Sequence, residues 1–242
     1  MHAALAEATR TLFLCRATQA YYADDDRGNF RRVPSWIDLE AIAAFRATHT
    51  KAAMRRKHGL RDDEIVIANI GTVCERKGQH IFVRAIEQFN RHRAAGAPVR
   101  FLMVGAREGL TLDLLRRDIA RLGLPNVMLV PETRDVYDFF VAADLFVCTS
   151  YEESFPRVVM EAMGFRTPIV STDVHGIPDL IGQRQDGYLV RPGEAAELAR
   201  MMHTCLAKER SGKSLAPTAY SRVLRFHDAK RVLPWHADLA RE

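Results

Sequence analysis

Short apolar segments alternate with amphipathic segments from about residue 62 to residue 210. Apolar runs rich in β-branched residues predict strands, and apolar positions three or four residues apart predict helices. The predicted strands lie at 64–71, 99–105, 126–130, 145–150, 168–172 and 187–190. The predicted helices lie at 78–96, 110–124, 134–143 and 193–209, with a further helix inside 150–164.

This alternation predicts an α/β fold, with a doubly wound, Rossmann-like parallel sheet. Strands that are apolar throughout are typical of a parallel sheet whose two faces are both covered by helices. Ligands of such sheets bind outside the carboxyl ends of the strands. Polar residues collect at these predicted ends, in the segments GTVCERKG, VGAREG, VPETRD, TSYEES and STDVHG.

Two flanking segments differ from this regular core. Residues 1–34 hold a helix-like start, a strand-like TLFLC and then a polar stretch. Residues 213–242 are polar and basic with a few apolar positions, which predicts one or two terminal helices. The sequence contains neither an internal repeat nor a low-complexity tract.

Composition narrows the function classes. The chain has 242 residues, a formal net charge of +5 and 48% hydrophobic residues, as in an ordinary soluble domain. The modest positive excess suits an anionic ligand or an acidic membrane surface. Nucleic acid is not expected as a partner, because no basic run is interleaved with aromatic residues. No apolar run approaches the length of a membrane span, and the start of the sequence does not resemble a secretory signal.

The four cysteines are widely spaced and form no C-x-x-C pair, so free thiols are expected rather than a zinc site. No metal-ligand cluster is visible, and no metal cofactor is expected. The expected location is the cytoplasm, with peripheral association at the inner face of the membrane as a further expectation.

The segment after the first core strand carries a candidate anion site. Gly71 allows a tight exit from the strand, and Arg76 and Lys77 stand directly before Gly78, where a helix is predicted. A helix start already favours anions, and two adjacent cations would make it a phosphate site. A solvated basic turn explains the same residues equally well. The spacing fits neither a P-loop nor a dinucleotide fingerprint.

Two carboxylates mark the segment SYEESFPRVVMEAMG. Glu153 precedes a predicted helix start at which Pro156 suits the first turn and Ser154 suits the cap. Glu161 lies about a turn and a half inside that helix. The helix start points towards the ligand side of the sheet, where Glu153 could accept hydrogen bonds from hydroxyl groups. Alternatively, Glu153 only favours the helix dipole and Glu161 only pairs with Arg157 on the surface.

Taken together, these segments resemble the family 4 glycosyltransferases of the GT-B fold. The similarity includes the Glu-x7-Glu spacing from Glu153 to Glu161, followed by Ala-Met. It also includes NIGTVCERKGQHIFVRAI, VRFLMVGAREG, LGLPNVMLVPETRDVYDFFVAADLFVCTS and TPIVSTDVHGIPDLIGQRQDGYLVRPGE, in the family's order. The resemblance covers roughly residues 30–210. It implies retaining transfer of a sugar from a nucleotide-diphosphate donor, a UDP- or GDP-sugar, as in polysaccharide biosynthesis.

The resemblance implies roles for the phosphate-side residues. Lys77, helped by Arg76, would hold the diphosphate and stabilise the charge that grows on it as the glycosidic bond breaks. The backbone N–H groups of Arg157 and Val158 would face the same group. Glu161 would accept from the ribose hydroxyls.

It also implies roles for the residues around the sugar and the base. Glu153, with the N–H groups of Ser154 and Phe155, would hold the hydroxyls of the donor sugar. The backbone at Val130 and Pro131 would flank the base.

Three departures from the family pattern stand out. Gly71-Thr72 replaces the frequent Gly-Arg, so Arg76 is expected to substitute in binding phosphate. Ser-Phe-Pro replaces the frequent Gly-Phe-Gly after the first glutamate, which removes one N–H donor. The third departure is length, because a GT-B enzyme has two such domains and carries its acceptor site on the first.

The resemblance therefore implies a single GT-B C-terminal domain with flanking helical segments. Residues 1–34 would be the remnant of the N-terminal acceptor domain and its linker. Residues 35–212 would form the nucleotide-sugar-binding Rossmann-like domain, and residues 213–242 the C-terminal helices that cross back to the first domain. The partner that is missing from this chain would be the acceptor-binding domain.

Two other functions remain open on sequence grounds. The chain could be a stand-alone or truncated nucleotide-sugar-binding module without transferase activity. It could also belong to a GT-B relative with another chemistry, such as a sugar epimerase or a phosphorylase, although a phosphorylase would need a pyridoxal-binding lysine and a much longer chain.

Overall fold

A computed structural model describes residues 1–93 and 96–239 of the chain. Within these ranges the strands are β1 (Thr11–Phe13), β2 (Phe30–Arg32), β3 (Ile65–Ile70), β4 (Val99–Ala106), β5 (Val127–Pro131), β6 (Leu145–Cys148), β7 (Ile169–Thr172) and β8 (Tyr188–Val190). The helices are α1 (His2–Glu7), α2 (Arg16–Tyr21), α3 (Leu39–Thr48), α4 (Lys51–Lys57), α5 (Gln79–Arg91), α6 (Leu110–Arg121), α7 (Val136–Ala142), α8 (Arg157–Phe165), α9 (Ile177–Leu180), α10 (Ala195–Arg210), α11 (Ala216–Phe226) and α12 (Ala229–Leu239).

The central sheet is parallel and has the strand order β5-β4-β3-β6-β7-β8. The chain runs outward from β3 to β5 and then returns to place β6 on the other side of β3. The order therefore reverses between β3 and β6. A crevice opens at such a reversal, at the carboxyl ends of the two strands, and this is where open α/β sheets bind ligands.

Two apolar cores cover the faces of this sheet. Along β3, Val66 and Ala68 pack into one core, and the intervening Ile67 packs into the other. The first core lies under α3, α7 and α8, and the second lies under α5, α6 and α10. Because side chains alternate along a strand, a strand that is apolar at every position requires both covers. The predicted doubly wound fold is confirmed.

Each predicted core strand is present, and most strand ends agree with the prediction to within about two residues. The helix predicted at 78–96 ends at Arg91, and residues 94 and 95 lie outside the described residues. Several elements were not predicted. They include the helices α3 and α4, the short helix α9, and β2, which pairs in parallel with β1 as a separate two-stranded sheet.

The flanking segments pack against each other beside the central sheet. The backbone N–H of Ile37 donates to the carbonyl of His227 at 3.0 Å, and Ala229 donates back to Ile37 at 2.9 Å. The His236 ring lies 2.9 Å from the carbonyl of Pro34. The two helices expected near the C-terminus are α11 and α12. The assignment of 1–34 as the remnant of an acceptor domain with its linker, and of 213–242 as helices that cross back to that domain, stays a prediction.

Within the described residues, no helix is both long and apolar enough to cross a bilayer. The four cysteines are free thiols, and Cys15, Cys148 and Cys205 are buried. Burial raises the pKa of the Cys205 thiol to about 12, so it is protonated and unreactive at neutral pH.

Candidate functional site

Two loops meet at the reversal of strand order, one after β3 and one after β6. Asn69, near the end of β3, donates to the carbonyl of Val147 at 2.9 Å and lies 3.3 Å from the Thr149 hydroxyl. The Thr149 hydroxyl donates in turn to the carbonyl of Lys77 at 2.8 Å. The backbone N–H of Tyr151 donates to the backbone carbonyl of Arg76 at 2.8 Å. This network holds the two loops in one arrangement.

Gly78 allows the close approach of these loops. Its φ of +64° lies in the left-handed region, which glycine adopts without strain. A Cβ at this position would overlap the backbone carbonyl oxygen of Thr149. The loop after β3, which carries Arg76 and Lys77, can therefore approach the loop after β6 only because residue 78 has no side chain.

Lys77 and Glu153 meet between the two loops. The Lys77 ammonium donates to Glu153 Oε1 at 2.5 Å, and the Ser150 hydroxyl donates to the same oxygen at 2.8 Å. The Glu153 side chain is 8% exposed and that of Lys77 is 18% exposed. Arg76 lies farther out, with a guanidinium nitrogen 3.7 Å from Glu153 Oε2 and bonded to the carbonyl of Glu152. The three charged side chains predicted for the site, Lys77, Arg76 and Glu153, are thus brought together.

Helix α8 starts beside this ion pair. Pro156 is its N-cap and Arg157 its first helical residue. The predicted cap by Ser154 is wrong, because Ser154 is exposed and its side chain makes no capping bond. The first helical bond runs from Val159 to the carbonyl of Pro156, so the N–H groups of Arg157 and Val158 precede the helical ladder. Such N–H groups are free to bind an anion.

Glu161 lies one turn further along α8 and is 7% exposed. Its Oε1 is 3.9 Å from the Arg157 guanidinium, which is an ion-pair contact beyond hydrogen-bond length. Burial raises the pKa of Glu161, and Arg157 opposes that rise. A buried carboxylate without a close donor has oxygens left to accept hydrogen bonds from a ligand. The surface pair with Arg157, considered as an alternative, does form, but it leaves this capacity open.

A cavity of about 430 Å³ opens at the carboxyl ends of β3, β4 and β5; we call it the carboxyl-edge cavity. Gly71, Thr72 and Val158 line it, which brings the β3 loop and the start of α8 to one space. Residues 132–134 form another wall. Val130 and Pro131, which were predicted to flank the base, do not line this cavity. The nearest lining residue is Glu132, one or two positions further along the chain.

Phe155 points elsewhere. Its ring is half-buried against the α8 side of the core, 5.1 Å from the ring of His227, and it lines a different cavity. The contact predicted for Phe155 is between its backbone N–H and the donor sugar. The position of the ring does not test that contact. A cavity of about 640 Å³ opens at the opposite edge of the sheet, and none of the predicted site residues lines it.

Several residues at the site were missed by sequence reasoning. Ser150 supports Glu153, Thr149 supports Lys77, and Gly105 lies where a Cβ would overlap the carbonyl of Gly71. The polar segments TSYEES and VGAREG at the strand ends are a signal for these residues, but the pattern does not assign a role to individual residues. Within the described residues, no group of three or more His, Cys, Asp or Glu side chains could hold a metal ion.

Comparisons with known proteins agree with this geometry. The family model for glycosyl transferases group 1 matches residues 50–222, which is well over half of the chain. A D-inositol 3-phosphate glycosyltransferase from Mycobacteroides abscessus is 34% identical over 177 residues, covering 71% of this chain and 38% of that protein. The Bacillus subtilis protein named "Putative teichuronic acid biosynthesis glycosyltransferase TuaC" is 32% identical over 150 residues, covering 62% of this chain and 35% of that protein.

Solved structures show the same fold. HepE from Anabaena, crystallised with UDP and glucose, superposes with a TM-score of 0.84 at 22% identity, covering 99% of this chain and 64% of that one. WaaG, a glycosyltransferase involved in lipopolysaccharide biosynthesis, superposes with a TM-score of 0.79 at 19% identity, covering 94% and 61%. The expected GT-B architecture is confirmed.

The chain spans less than half the length of the curated relatives named above. Within that span, the family match includes the β3 loop, the β6 loop and helix α8, which together form the crevice described above. The resemblance seen in the sequence is therefore confirmed, and the chain belongs to the glycosyl transferases group 1 family.

Proposed function

We propose that this chain binds the nucleotide-sugar donor of a retaining glycosyltransferase. The observation that carries the proposal is the meeting of Lys77, Glu153 and the start of α8 at the reversal of strand order. A cation, a carboxylate and free N–H groups at one crevice match the chemistry of a sugar diphosphate, which carries both an anion and hydroxyl groups.

The diphosphate is the leaving group in this reaction. In the proposal, Lys77 and Arg76 bind it from the β3 loop, and the N–H groups of Arg157 and Val158 bind it from α8. Negative charge grows on the diphosphate as the glycosidic bond breaks, so fixed positive groups stabilise the transition state more than the ground state. These side chains and the helix start supply that stabilisation from the protein itself.

The remaining residues orient the donor. Glu153 and the N–H groups of Ser154 and Phe155 accept and donate to the sugar hydroxyls, and Glu161 accepts from the ribose. For Glu153 this means exchanging hydrogen-bond partners for the sugar hydroxyls, because its Oε1 accepts from Lys77 and Ser150 in the structure. The base enters the carboxyl-edge cavity beside residues 132–134, close to Val130 and Pro131.

We propose UDP rather than GDP as the preferred nucleotide. HepE was crystallised with UDP and with UDP-glucose, and the fold similarity extends over nearly all of this chain. The donor sugar is not specified by this argument. Further acceptor-binding residues are proposed to lie outside the 242 residues, because the relatives are more than twice as long as the matched region.

The second candidate is a nucleotide-sugar-binding module that transfers nothing on its own. The same partial coverage favours it. Donor hydrolysis or transfer by this chain, measured with and without a separately supplied acceptor-binding half, distinguishes the two functions.

Calorimetric titration with UDP and with uridine tests the binding site. Lys77→Ala is expected to weaken UDP binding by roughly ten- to a hundredfold, because a charge-assisted hydrogen bond contributes about 1.5–3 kcal/mol. Uridine lacks phosphate, so its weaker binding should hardly change. Lys213→Ala, which removes an exposed lysine on another part of the chain, is the matched control. Equal losses for UDP and uridine would show that Lys77 does not contact phosphate.

A further inference from the structure

A second cavity, of about 630 Å³, lies between the β1–β2 segment and the last two helices. We call it the arginine cavity because five arginines line it. They are Arg16, Arg32, Arg222, Arg225 and Arg231. Among the described residues, Asp179 is the one carboxylate in its lining. Arginine remains protonated at any physiological pH, so this lining is strongly cationic.

Two of the five arginines are neutralised by carboxylates. Arg16 lies 3.3 Å from Asp179, and Arg222 donates to the buried Asp186 at 2.5 Å. The remaining three, Arg32, Arg225 and Arg231, form no ion pair with any carboxylate in the described part of the chain. The cavity thus carries about three positive charges that the protein does not compensate.

The rest of the lining is apolar and aromatic. Phe226 and Trp235 stand at the cavity with about two fifths or more of their surface exposed, and the Arg225 guanidinium lies 5.0 Å from the centre of the Phe226 ring. A ligand here would meet cationic groups on one side and rings on the other.

This cavity is connected to the proposed donor site. Phe155 lines it, two residues after Glu153. The N–H of Gly176 donates to the carbonyl of Glu153 at 3.0 Å, and Asp179, three residues later on α9, accepts from the backbone N–H of Arg16 at 2.8 Å. One short segment, residues 153–156, therefore separates the arginine cavity from the Lys77–Glu153 pair.

We propose that the arginine cavity binds an oxyanion, a phosphate or carboxylate group, on the acceptor of the reaction. This inference rests on the proposed function, since it takes the Glu153 side as the sugar-donor side. Planar guanidinium groups pair with two oxygens of a phosphate or carboxylate at once. The neighbouring rings contact the uncharged remainder of the molecule. The acceptor is therefore an anionic compound, either a soluble phosphate ester or sugar acid, or the headgroup of an acidic lipid.

The test uses the 242-residue chain with Arg225→Gln and Arg231→Gln combined. Both arginines are exposed, so the fold should tolerate the change, and circular dichroism checks it. Glucose 6-phosphate is the soluble probe, titrated calorimetrically at low salt. The double variant is expected to bind it roughly tenfold more weakly than the unchanged chain, as loss of charge-assisted hydrogen bonds predicts. Arg117→Gln, an exposed arginine on α6, should leave binding unchanged.

A second arm distinguishes the sources of the oxyanion. Co-sedimentation is measured with vesicles of phosphatidylcholine, with and without phosphatidylglycerol. Binding that needs phosphatidylglycerol and is lost in the double variant, but not in Arg117→Gln, assigns the cavity to a lipid headgroup. Binding of glucose 6-phosphate alone assigns it to a soluble acceptor. Binding of neither probe, or equal losses in the double variant and Arg117→Gln, overturns the inference.

UDP titrated into the same proteins separates this inference from the proposed function. The double variant should bind UDP as the unchanged chain does, because Lys77 is on the other side of residues 153–156. A chain that binds glucose 6-phosphate through Arg225 and Arg231 but does not bind UDP would retain the anion site and refute the donor site.

Discussion

The ion pair between Lys77 and Glu153 gives the crevice its own internal balance of charge. A buried carboxylate left without its partner is costly, so the pair is the stable state before a ligand arrives. A diphosphate that binds Lys77 competes with Glu153 for its ammonium group.

Glu153→Gln should therefore strengthen the binding of UDP itself. The neutral amide competes less for the ammonium, and the gain is expected to be roughly two- to tenfold, the equivalent of one ordinary hydrogen bond. For a UDP-sugar the same variant should bind more weakly relative to UDP than the unchanged chain does, because hydroxyl groups lose a charged acceptor. Calorimetry with both ligands measures the ratio. Ser154→Ala, one residue along and exposed, is the control. Weaker UDP binding in Glu153→Gln would contradict the exchange.

Glu161→Gln should stabilise the folded chain at neutral pH. Burial raises the pKa of this carboxyl, so its charged form destabilises the folded state relative to the unfolded state. The penalty is fully present above the raised pKa and vanishes at pH values below the ordinary pKa of glutamate, about 4.3, because both states are then protonated.

The free energy of unfolding in urea, measured at neutral pH and at about pH 4, checks this prediction for Glu161. The difference between the variant and the unchanged chain should shrink as the pH falls. Glu7→Gln, at an exposed position on α1, should show no such trend. A gain that is equal at both pH values would mean that it does not come from the buried charge.

The junction between the β3 loop and β6 depends on a position without a side chain. Gly78 and Gly59 have nearly the same φ, +64° and +67°, but of the two only Gly78 has backbone atoms of another loop, those of Thr149 after β6, where a Cβ would stand. Gly78→Ala and Gly59→Ala therefore share the backbone strain and differ in the collision.

Gly59→Ala should lower the free energy of unfolding by roughly 1–2 kcal/mol, the strain of an alanine in the left-handed region. Gly78→Ala should lose clearly more, and it should also lose affinity for UDP because Lys77 is displaced with the loop. Denaturant unfolding and UDP titration of both variants provide the measurements. Equal losses of stability would show that the loop moves aside freely.

The central strands could be predicted from the sequence because each is largely apolar without a regular polar alternation, which is the pattern of a strand covered on both faces. β2 could not, since Phe30–Arg32 has one buried position and two exposed arginines and pairs only with a distant three-residue strand. Helix α9 was missed because four residues carry too little periodicity.

Some residues of the candidate site could likewise be predicted from the sequence, and others could not. Lys77 and Glu153 could be placed because they follow strands whose ends share one edge of the sheet. Thr149 acts through a hydrogen bond to the carbonyl of Lys77, 72 residues earlier in the sequence, and no local pattern encodes such a pairing. Ser150 bonds to Glu153 only three residues away, but the polar run TSYEES does not show which of its hydroxyl groups makes that contact. The position of the Phe155 ring followed from the packing of α11 and α12, which the sequence placed only as terminal helices.

Local unfolding should occur much more readily in some parts of the molecule than in others. Helix α1 buries none of its residues, whereas β3 is buried from Val66 to Ile70 between two neighbouring strands. Hydrogen–deuterium exchange followed by mass spectrometry is expected to label α1 first and the β3–β4 region last. UDP should add protection at the β3 loop and α8 and leave α1 unchanged. Protection of α1 as strong as that of β3 would contradict this order.

The order of strands also determines when the crevice comes into being. Lys77 and Glu153 are 76 residues apart and meet only after β6 has returned to lie beside β3. A nucleotide that bridges them acts as a clamp on the most distant pairing of the central sheet, and at a hundred times its dissociation constant it would add about 2.7 kcal/mol to folding. A nascent chain that stops before β6 lacks this crevice. Binding of the donor therefore indicates that β6 has paired with β3.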